Sequence, residues 1–276
     1  MNVTADTRLF ALLGDPASHS LSPAMHNAAF RAAGIDAVYV ALRCSTAEAG
    51  LLVRALAHAG GGGNVTVPHK TRAARSVDVA SPAVLATDAC NTFWYENGRV
   101  IGDNTDVHGF VVAATALVGS LQGISALVIG AGGAASAVVH GLGQGGAARI
   151  AVLNRTHARA EALVARQTAA AAHAIRDADV AAGVFDLVIN ATSLGMRAND
   201  ALPLDLARVG RVGAVLDLVC VPGATPFVAH ATERGVPAAD GRAMLLHQGA
   251  TAFERWLGVP APLQVMRDAL GGADPS

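Results

Sequence analysis

Apolar and polar positions along the chain fall into short runs that alternate between a strand period and a helix period. Arg8 to Leu13 is an apolar run that predicts a strand, and Ser22 with Pro23 predicts an N-cap and first helical position for a helix reaching about Ala33. Val38 to Leu42, Asn64 to Val67 and Cys90 to Tyr95 predict further strands, with helices from about Thr46 to Ala59 and after Pro82. Asn97-Gly98, set between Thr92–Tyr95 and Arg99–Ile101, is a strong hairpin signal because both turn residues tolerate positive φ.

The rhythm changes after Asp106. A helix from Val107 to Gly119 precedes Ala126 to Ile129, an uninterrupted apolar strand of the kind buried in a parallel sheet. Strands at Arg149 to Leu153, Phe185 to Asn190 and Val212 to Leu218 then alternate with helices at about Ala134 to Gly143, Ala158 to Gln167 and Thr225 to Arg234. This βαβ order predicts an α/β chain whose second part is a nucleotide-binding unit. Two terminal helices, Arg242 to Leu257 and Leu263 to Leu270, follow that unit; their return to the first domain would make the second an insertion. The run Gly60 to Gly63 is the one low-complexity stretch and reads as a linker.

Composition narrows the classes. Hydrophobic residues are 52% of the 276 but aromatics only 4%, and charged residues, at 15%, are scarce, yet nothing suggests disorder. A net charge of -1 gives no general reason to bind nucleic acid or an anionic membrane. Between Asp106 and Arg149 no Asp, Glu, Lys or Arg occurs, but Gly119, Gly123, Gly130, Gly132 and Gly133 break the stretch into pieces too short to span a bilayer as one helix. Cys44, Cys90 and Cys220 are far apart and odd in number, so neither a disulfide framework nor a zinc site is indicated and a cytoplasmic location is expected. No metal-ligand spacing is present, and none of His19, His26 and His69 reads as a ligand: surface or supporting positions are expected. Met1 to Arg8 contains Asp6 and no apolar stretch, so it does not read as a targeting peptide, and the mature chain is expected to start here.

Candidate chemistry lies in four places. Gly130-Ala131-Gly132-Gly133-Ala134 joins the end of a strand to the start of a helix: Gly130 permits the tight turn, Gly132 lets backbone approach a pyrophosphate, and the helix N-terminus offers free N–H groups. At the end of the second strand of this unit an acidic residue would bind the ribose 2′-OH of NAD; Asn154-Arg155-Thr156 and Arg159 stand there instead, so NADP is expected. Of the 20 basic residues, 19 are Arg and one is Lys70, in Asn64-Val65-Thr66-Val67-Pro68-His69-Lys70. Arg cannot give up its proton at ordinary pH whereas Lys can, so proton transfer is suggested for Lys70. Its candidate partner is Asp106, equally readable as a solvated loop residue or as the cap of the helix at Val107. Ser20 and Ser22 could hold a carboxylate through neutral hydroxyls, but their spacing favours capping by Ser22, with no local duty for Ser20.

These residues together resemble the shikimate dehydrogenases along nearly the whole chain. The resemblance rests on His19-Ser20-Leu21-Ser22-Pro23 with Met25-His26-Asn27, Asn64 to Lys70, Cys90-Asn91-Thr92, Asn104-Thr105-Asp106, Gly130 to Ala134, Asn154-Arg155-Thr156, Asn190-Ala191-Thr192-Ser193 and Met244 to Gln248. It implies an N-terminal α/β substrate domain (1–106) completed by C-terminal helices (241–276), with an inserted Rossmann-type NADP-binding domain (107–240) and a cleft between the two. The implied reaction is the reversible NADPH-dependent reduction of 3-dehydroshikimate to shikimate, on the pathway to chorismate and aromatic amino acids. By position, Lys70 and Asp106 would move the proton, Ser20 and Ser22 would bind the substrate carboxylate, and Thr66, Asn91 and Gln248 the ring hydroxyls. Gly130, Ala131, Gly132, Gly133 and Ala134 would hold the pyrophosphate, Asn154, Arg155, Thr156 and Arg159 the 2′-phosphate, and Leu218, Gly241 and Met244 the nicotinamide region, with Thr192 a further cofactor residue.

Three positions depart from the family pattern. Cys220, in Asp217-Leu218-Val219-Cys220-Val221-Pro222, stands where a Tyr is usual and helps close the substrate site; Gly63 and His108 are also less usual. Quinate-using and amino-shikimate-using relatives exist within the family, while two serines at positions 20 and 22 favour shikimate. A non-catalytic NADP or shikimate sensor is the alternative outside enzymes, and the Lys70 and Asp106 pair argues against it. The expected partner is a small-molecule substrate, with no nucleic acid and no membrane; a monomer or a homodimer fits equally.

Overall fold

A computed structural model describes residues 3–18, 20–167, 171–197 and 199–271. His19, in the serine motif, lies outside the described residues. In chain order the first elements are β1 (Arg8–Gly14), α1 (Ser22–Ala32), β2 (Ala37–Arg43), α2 (Thr46–His58), β3 (Gly62–Val65), α3 (Lys70–Ala74), β4 (Val79–Ala80), α4 (Pro82–Thr87), β5 (Thr92–Glu96) and β6 (Arg99–Asp103). There follow α5 (Asp106–Val118), β7 (Ser125–Ile129), α6 (Gly133–Gln144), β8 (Arg149–Leu153), α7 (His157–Arg166), β9 (Ala172–Ile175), β10 (Val184–Asn190), β11 (Arg211–Asp217), α8 (Pro226–Thr232), β12 (Ala238–Ala239), α9 (Arg242–Leu257) and α10 (Leu263–Ala269). The chain divides into two compact units, 1–106 with 245–276 and 107–244.

The first unit is built on a six-stranded mixed sheet ordered β2-β1-β3-β5-β6-β4. Alternation along β1 divides its side chains between two cores: Phe10 and Leu12 pack with α1, α9 and α10 through Phe30, Phe253, Trp256 and Met266, and Ala11 and Leu13 pack with α2 through Val53 and Leu56. The hairpin forms as the Asn-Gly pair predicts, with positive φ at Asn97 and Gly98 and Glu96 opposite Arg99.

The glycine run is not a linker. Gly62 and Gly63 belong to β3, which lies between β1 and β5 in the interior of the sheet. A Cβ on Gly63 would sit 2.0 Å from the Ala11 carbonyl oxygen, and one on Gly62 would sit 2.6 Å from that of Phe93. Only glycine fits backbones this close, which also moves the strand two residues ahead of its predicted start. The serine motif differs as well. Leu21, not Ser22, stands at the N-cap, and among the described residues no side chain caps α1 from there. Ser20 does have a local duty, since its Oγ accepts the N–H of Ser22 at 3.2 Å.

The second unit carries a wholly parallel sheet ordered β12-β11-β10-β7-β8-β9. Its central strands are buried on both faces, which is why they read as unbroken apolar runs. Ala126, Val128, Ile150, Val152, Leu187 and Ile189 face one core; Leu127, Ile129, Ala151, Leu153 and Val188 face the other. Short or weakly apolar elements escaped the sequence pattern: α3, with five residues, and the strands β4, β9 and β12. Among the described residues no helix is long and apolar enough to cross a membrane; the uncharged stretch after Asp106 forms α5, β7 and α6.

Candidate functional site

In the first unit the chain brings its one lysine onto a carboxylate. Lys70 opens α3 directly after His69, two residues past Pro68, and its Nζ donates to Asp106 Oδ2 at 2.5 Å, the two side chains being 12% and 8% exposed. Asp106 is the first residue of α5 and is buried, so it is not a solvated loop residue. The lysine backbone is held on both sides. Its carbonyl accepts Cys90 N–H at 3.0 Å, and the preceding His69 is buried with Nε2 2.9 Å from the Cys44 carbonyl oxygen and Nδ1 3.3 Å from Thr46 Oγ1. His26 is also buried, so neither described histidine of the three is a surface residue.

Asn91 is the hub of this cluster. Its Nδ2 lies 2.9 Å from Asp106 Oδ1, 3.1 Å from Gln248 Oε1 and 3.0 Å from Thr105 Oγ1, while its Oδ1 accepts the Thr105 backbone N–H at 2.8 Å. An amide nitrogen has two hydrogens, so three acceptors cannot all be satisfied at once. Lys70, Asp106, Asn91 and Gln248 therefore form one hydrogen-bonded group drawn from α3, α5, the segment before β5, and α9. Thr66 lies half-buried in the turn leading to Lys70, its carbonyl accepting His69 N–H at 2.9 Å. Ser22 is buried and Ser20 half-buried at the start of α1; among the described residues no hydrogen bond joins them to the group around Asn91.

Two residues not singled out from sequence belong to this group. Asn64 is buried, accepts the Tyr39 phenol at 2.8 Å and donates to the Asn91 carbonyl at 3.2 Å. Thr105 fixes which end of the Asn91 amide faces Asp106. Both lie inside motifs quoted above, but only the folded chain shows what their polar ends meet.

In the second unit Gly130 has φ +120°, and a Cβ there would lie 2.9 Å from the Ala191 carbonyl oxygen. Gly132 precedes α6 without a side-chain cap, and a Cβ on it would meet nothing within 4 Å. Open space thus lies beside an uncapped helix start whose first N–H groups point outward, the setting that suits a pyrophosphate. Ala131, Gly133 and Ala134 complete this half-buried turn. At the end of β8, Arg155 and Arg159 are exposed and have no ion-pair partner among the described residues, while Asn154 Nδ2 donates to the Thr156 carbonyl at 2.9 Å. Two free guanidiniums and no carboxylate there suit the 2′-phosphate of NADP.

Of the remaining cofactor candidates, Thr192 and Leu218 lie just past the ends of β10 and β11, Gly241 directly before α9 and Met244 within it. Thr192 donates through N and Oγ1 to Asn190 Oδ1, and Leu218 N–H donates to the Asn190 carbonyl at 3.0 Å. Gly241 leaves room for the Leu218 carbonyl, 2.4 Å from where a Cβ would be. Met244 packs in the core of this unit. Cys220 is half-buried, and burial together with Asp240 pushes its thiol up to about 12, so it stays protonated at neutral pH.

Comparison with known proteins assigns the chain throughout. Residues 12–93 match the shikimate dehydrogenase substrate binding domain, 112–197 match shikimate / quinate 5-dehydrogenase, and 241–270 match the shikimate 5′-dehydrogenase C-terminal domain. Shikimate dehydrogenase (NADP(+)) of Rubrobacter xylanophilus is 42% identical over 279 residues, covering 98% of each chain. Among solved structures, shikimate dehydrogenase from Aquifex aeolicus superposes with a TM-score of 0.89 at 30% identity, over 98% of this chain and 100% of that one. Shikimate 5-dehydrogenase from Thermus thermophilus, in complex with NADP(H) and shikimate, superposes with a TM-score of 0.81 at 36% identity, over 95% and 98%. With an ion-paired lysine in one unit, an uncapped glycine turn in the other, and this likeness over both, the chain belongs to the shikimate dehydrogenase family.

Proposed function

We propose that the protein catalyses the reversible reduction of 3-dehydroshikimate to shikimate with NADPH, and that it does so in the cytoplasm, where its three free thiols would stay reduced. The observation that carries this reading is the Lys70–Asp106 pair, nearly buried and held by Asn91. Pure binding needs no titratable pair at a polar site, whereas making an alcohol from a ketone requires a proton at the new oxygen. NADPH, when bound, supplies the hydride.

Lys70 Nζ gives a proton to the developing alkoxide, and Asp106 keeps the ammonium in place and draws the proton back in the oxidative direction. Asn91 steadies the carboxylate through Oδ1 and leaves Oδ2 to the lysine. Gln248 Oε1 accepts from Asn91 Nδ2 through one lone pair and has a second with which to accept a ring hydroxyl. Thr66 supplies a hydroxyl beside the lysine turn, and Ser20 and Ser22 bind the carboxylate with neutral donors. Gly130 to Ala134 seat the pyrophosphate; Asn154, Arg155, Thr156 and Arg159 read the 2′-phosphate; Thr192, Leu218, Gly241 and Met244 border the nicotinamide end.

Initial rates with shikimate and with quinate, each with NADP+ and with NAD+, test this for the unaltered protein and for Lys70→Ala. Efficient turnover is expected only with shikimate and NADP+, and Lys70→Ala is expected to lower kcat by about 10²- to 10⁴-fold, the usual share of a positioned acid–base. Negligible shikimate turnover by the unaltered protein refutes the assignment, and retention of kcat by Lys70→Ala refutes the role of the lysine.

A further inference from the structure

A fully buried carboxylate outside the proton-transfer pair has a position in the fold that points to a use. Asp217 ends β11 directly opposite Asn190, the last residue of β10, and neither has any exposed surface. Its Oδ1 accepts Asn190 Nδ2 at 2.8 Å and the Val219 N–H at 3.1 Å, and its Oδ2 accepts the Thr225 hydroxyl at 2.6 Å. Thr225, also fully buried, accepts the Val228 N–H and so caps α8. The Asn190 amide is saturated in turn: it donates to Asp217 and to the Leu194 carbonyl, and accepts both the N–H and the hydroxyl of Thr192. One carboxylate thus ties together the segment 190–194, the segment 217–219 and the start of α8.

These segments leave the C-terminal ends of two adjacent parallel strands, where open α/β sheets bind dinucleotides. The glycine turn follows β7 and the two free arginines follow β8, so the adenosine half belongs to that side of the sheet. β10 and β11 lie on the other side of β7, the side left for the nicotinamide half. We propose that Asp217 is a positioning residue that, through Asn190 and Thr225, sets the Thr192 and Leu218 segments to receive the nicotinamide half of the cofactor. This rests on reading the second unit as the NADP-binding unit.

The test compares binding of NADPH with binding of adenosine 2′,5′-bisphosphate, which lacks the nicotinamide half, by calorimetric titration of the full chain. Asp217→Ala is expected to raise the Kd for NADPH about tenfold and to leave that for adenosine 2′,5′-bisphosphate within about twofold, with Asp217→Asn recovering most of the loss. General loosening of the unit would weaken both ligands alike, and that result overturns the proposal; so does unchanged NADPH binding, or an Asn variant no better than Ala. If Asp217→Ala fails to fold, Thr225→Val removes one of the three donors and is expected to give a smaller loss confined to NADPH, with equal losses overturning the proposal. Failure of the unaltered protein to bind either ligand refutes the NADP reading itself, a result distinct from failure of the variants.

Discussion

His26 offers a stability prediction whose size follows from the structure. Its ring is fully buried, stacked on Tyr39 at 4.6 Å between centroids and tilted against Trp256 at 5.0 Å, and among the described residues neither ring nitrogen has a hydrogen-bond partner. Burial lowers its pKa from 6.5 to about 3. The folded chain therefore keeps His26 neutral where the unfolded chain protonates it, so the unfolded state binds more protons and stability falls as pH drops below about 6.5, continuing toward about 3. At pH 5 the linkage amounts to about 2 kcal/mol relative to pH 8, from 1.36 kcal/mol per unit. His26→Met removes the titration with an unbranched side chain that adapts to the same space. It also removes two unpaired polar atoms, whose burial costs about 1–3 kcal/mol, so a large loss at pH 8 is not expected. Urea unfolding followed by tryptophan fluorescence is the assay, because both tryptophans, Trp94 and Trp256, lie in the first unit. The stability of the variant should gain about 2 kcal/mol on that of the parent between pH 8 and pH 5. Parallel loss of stability in the two proteins would refute the reasoning.

Other outcomes follow from single contacts. Arg155→Ala should raise the KM for NADP+ by about 10- to 100-fold, the loss of one charge-assisted phosphate contact, with little change for NAD+; equal effects on the two cofactors would show that the guanidinium does not read the 2′-phosphate. Gly63→Ala should destabilise the first unit by about 3 kcal/mol, since its Cβ would collide with the Ala11 carbonyl in the interior of the sheet; an unchanged melting temperature would mean the strands part readily. Cys220→Tyr, which restores the side chain usual in the family, should lower the KM for shikimate, and unchanged kinetics would make the departure neutral.

Where an element declared itself by period or by turn chemistry, it was legible before the fold. In β7 and β8 the runs from Ala126 to Ile129 and from Ile150 to Leu153 are apolar because both faces are covered, and Asn97-Gly98 can hardly be anything but a tight hairpin turn. The glycine run shows the opposite case. Its meaning depends on β1 and β5, which lie far from it in sequence and press against it in space. Ser22 does not take the capping place that its spacing suggests, and Ser20 gains a local contact by accepting the Ser22 N–H, a matter of local backbone angles that spacing does not encode. Asn64 and Thr105 went unremarked since an amide or hydroxyl in a motif says nothing of the group at its other end.

By itself the sequence determined the chemical inventory: one lysine among 20 basic residues, a glycine turn after an apolar strand, and arginines where an acidic residue would select NAD. Those are properties of residue type and short-range order, which the backbone expresses locally. Only the tertiary structure decided which groups meet. Lys70 and Asp106 are 36 residues apart, and Asn91 reaches Gln248 across 157 residues. Hydrogen bonds have a reach of about 3 Å, so such partnerships exist only once the sheet and its covering helices have brought distant segments together. The same holds for His26, whose protonation is set by the aromatic rings packed around it rather than by its neighbours in the chain.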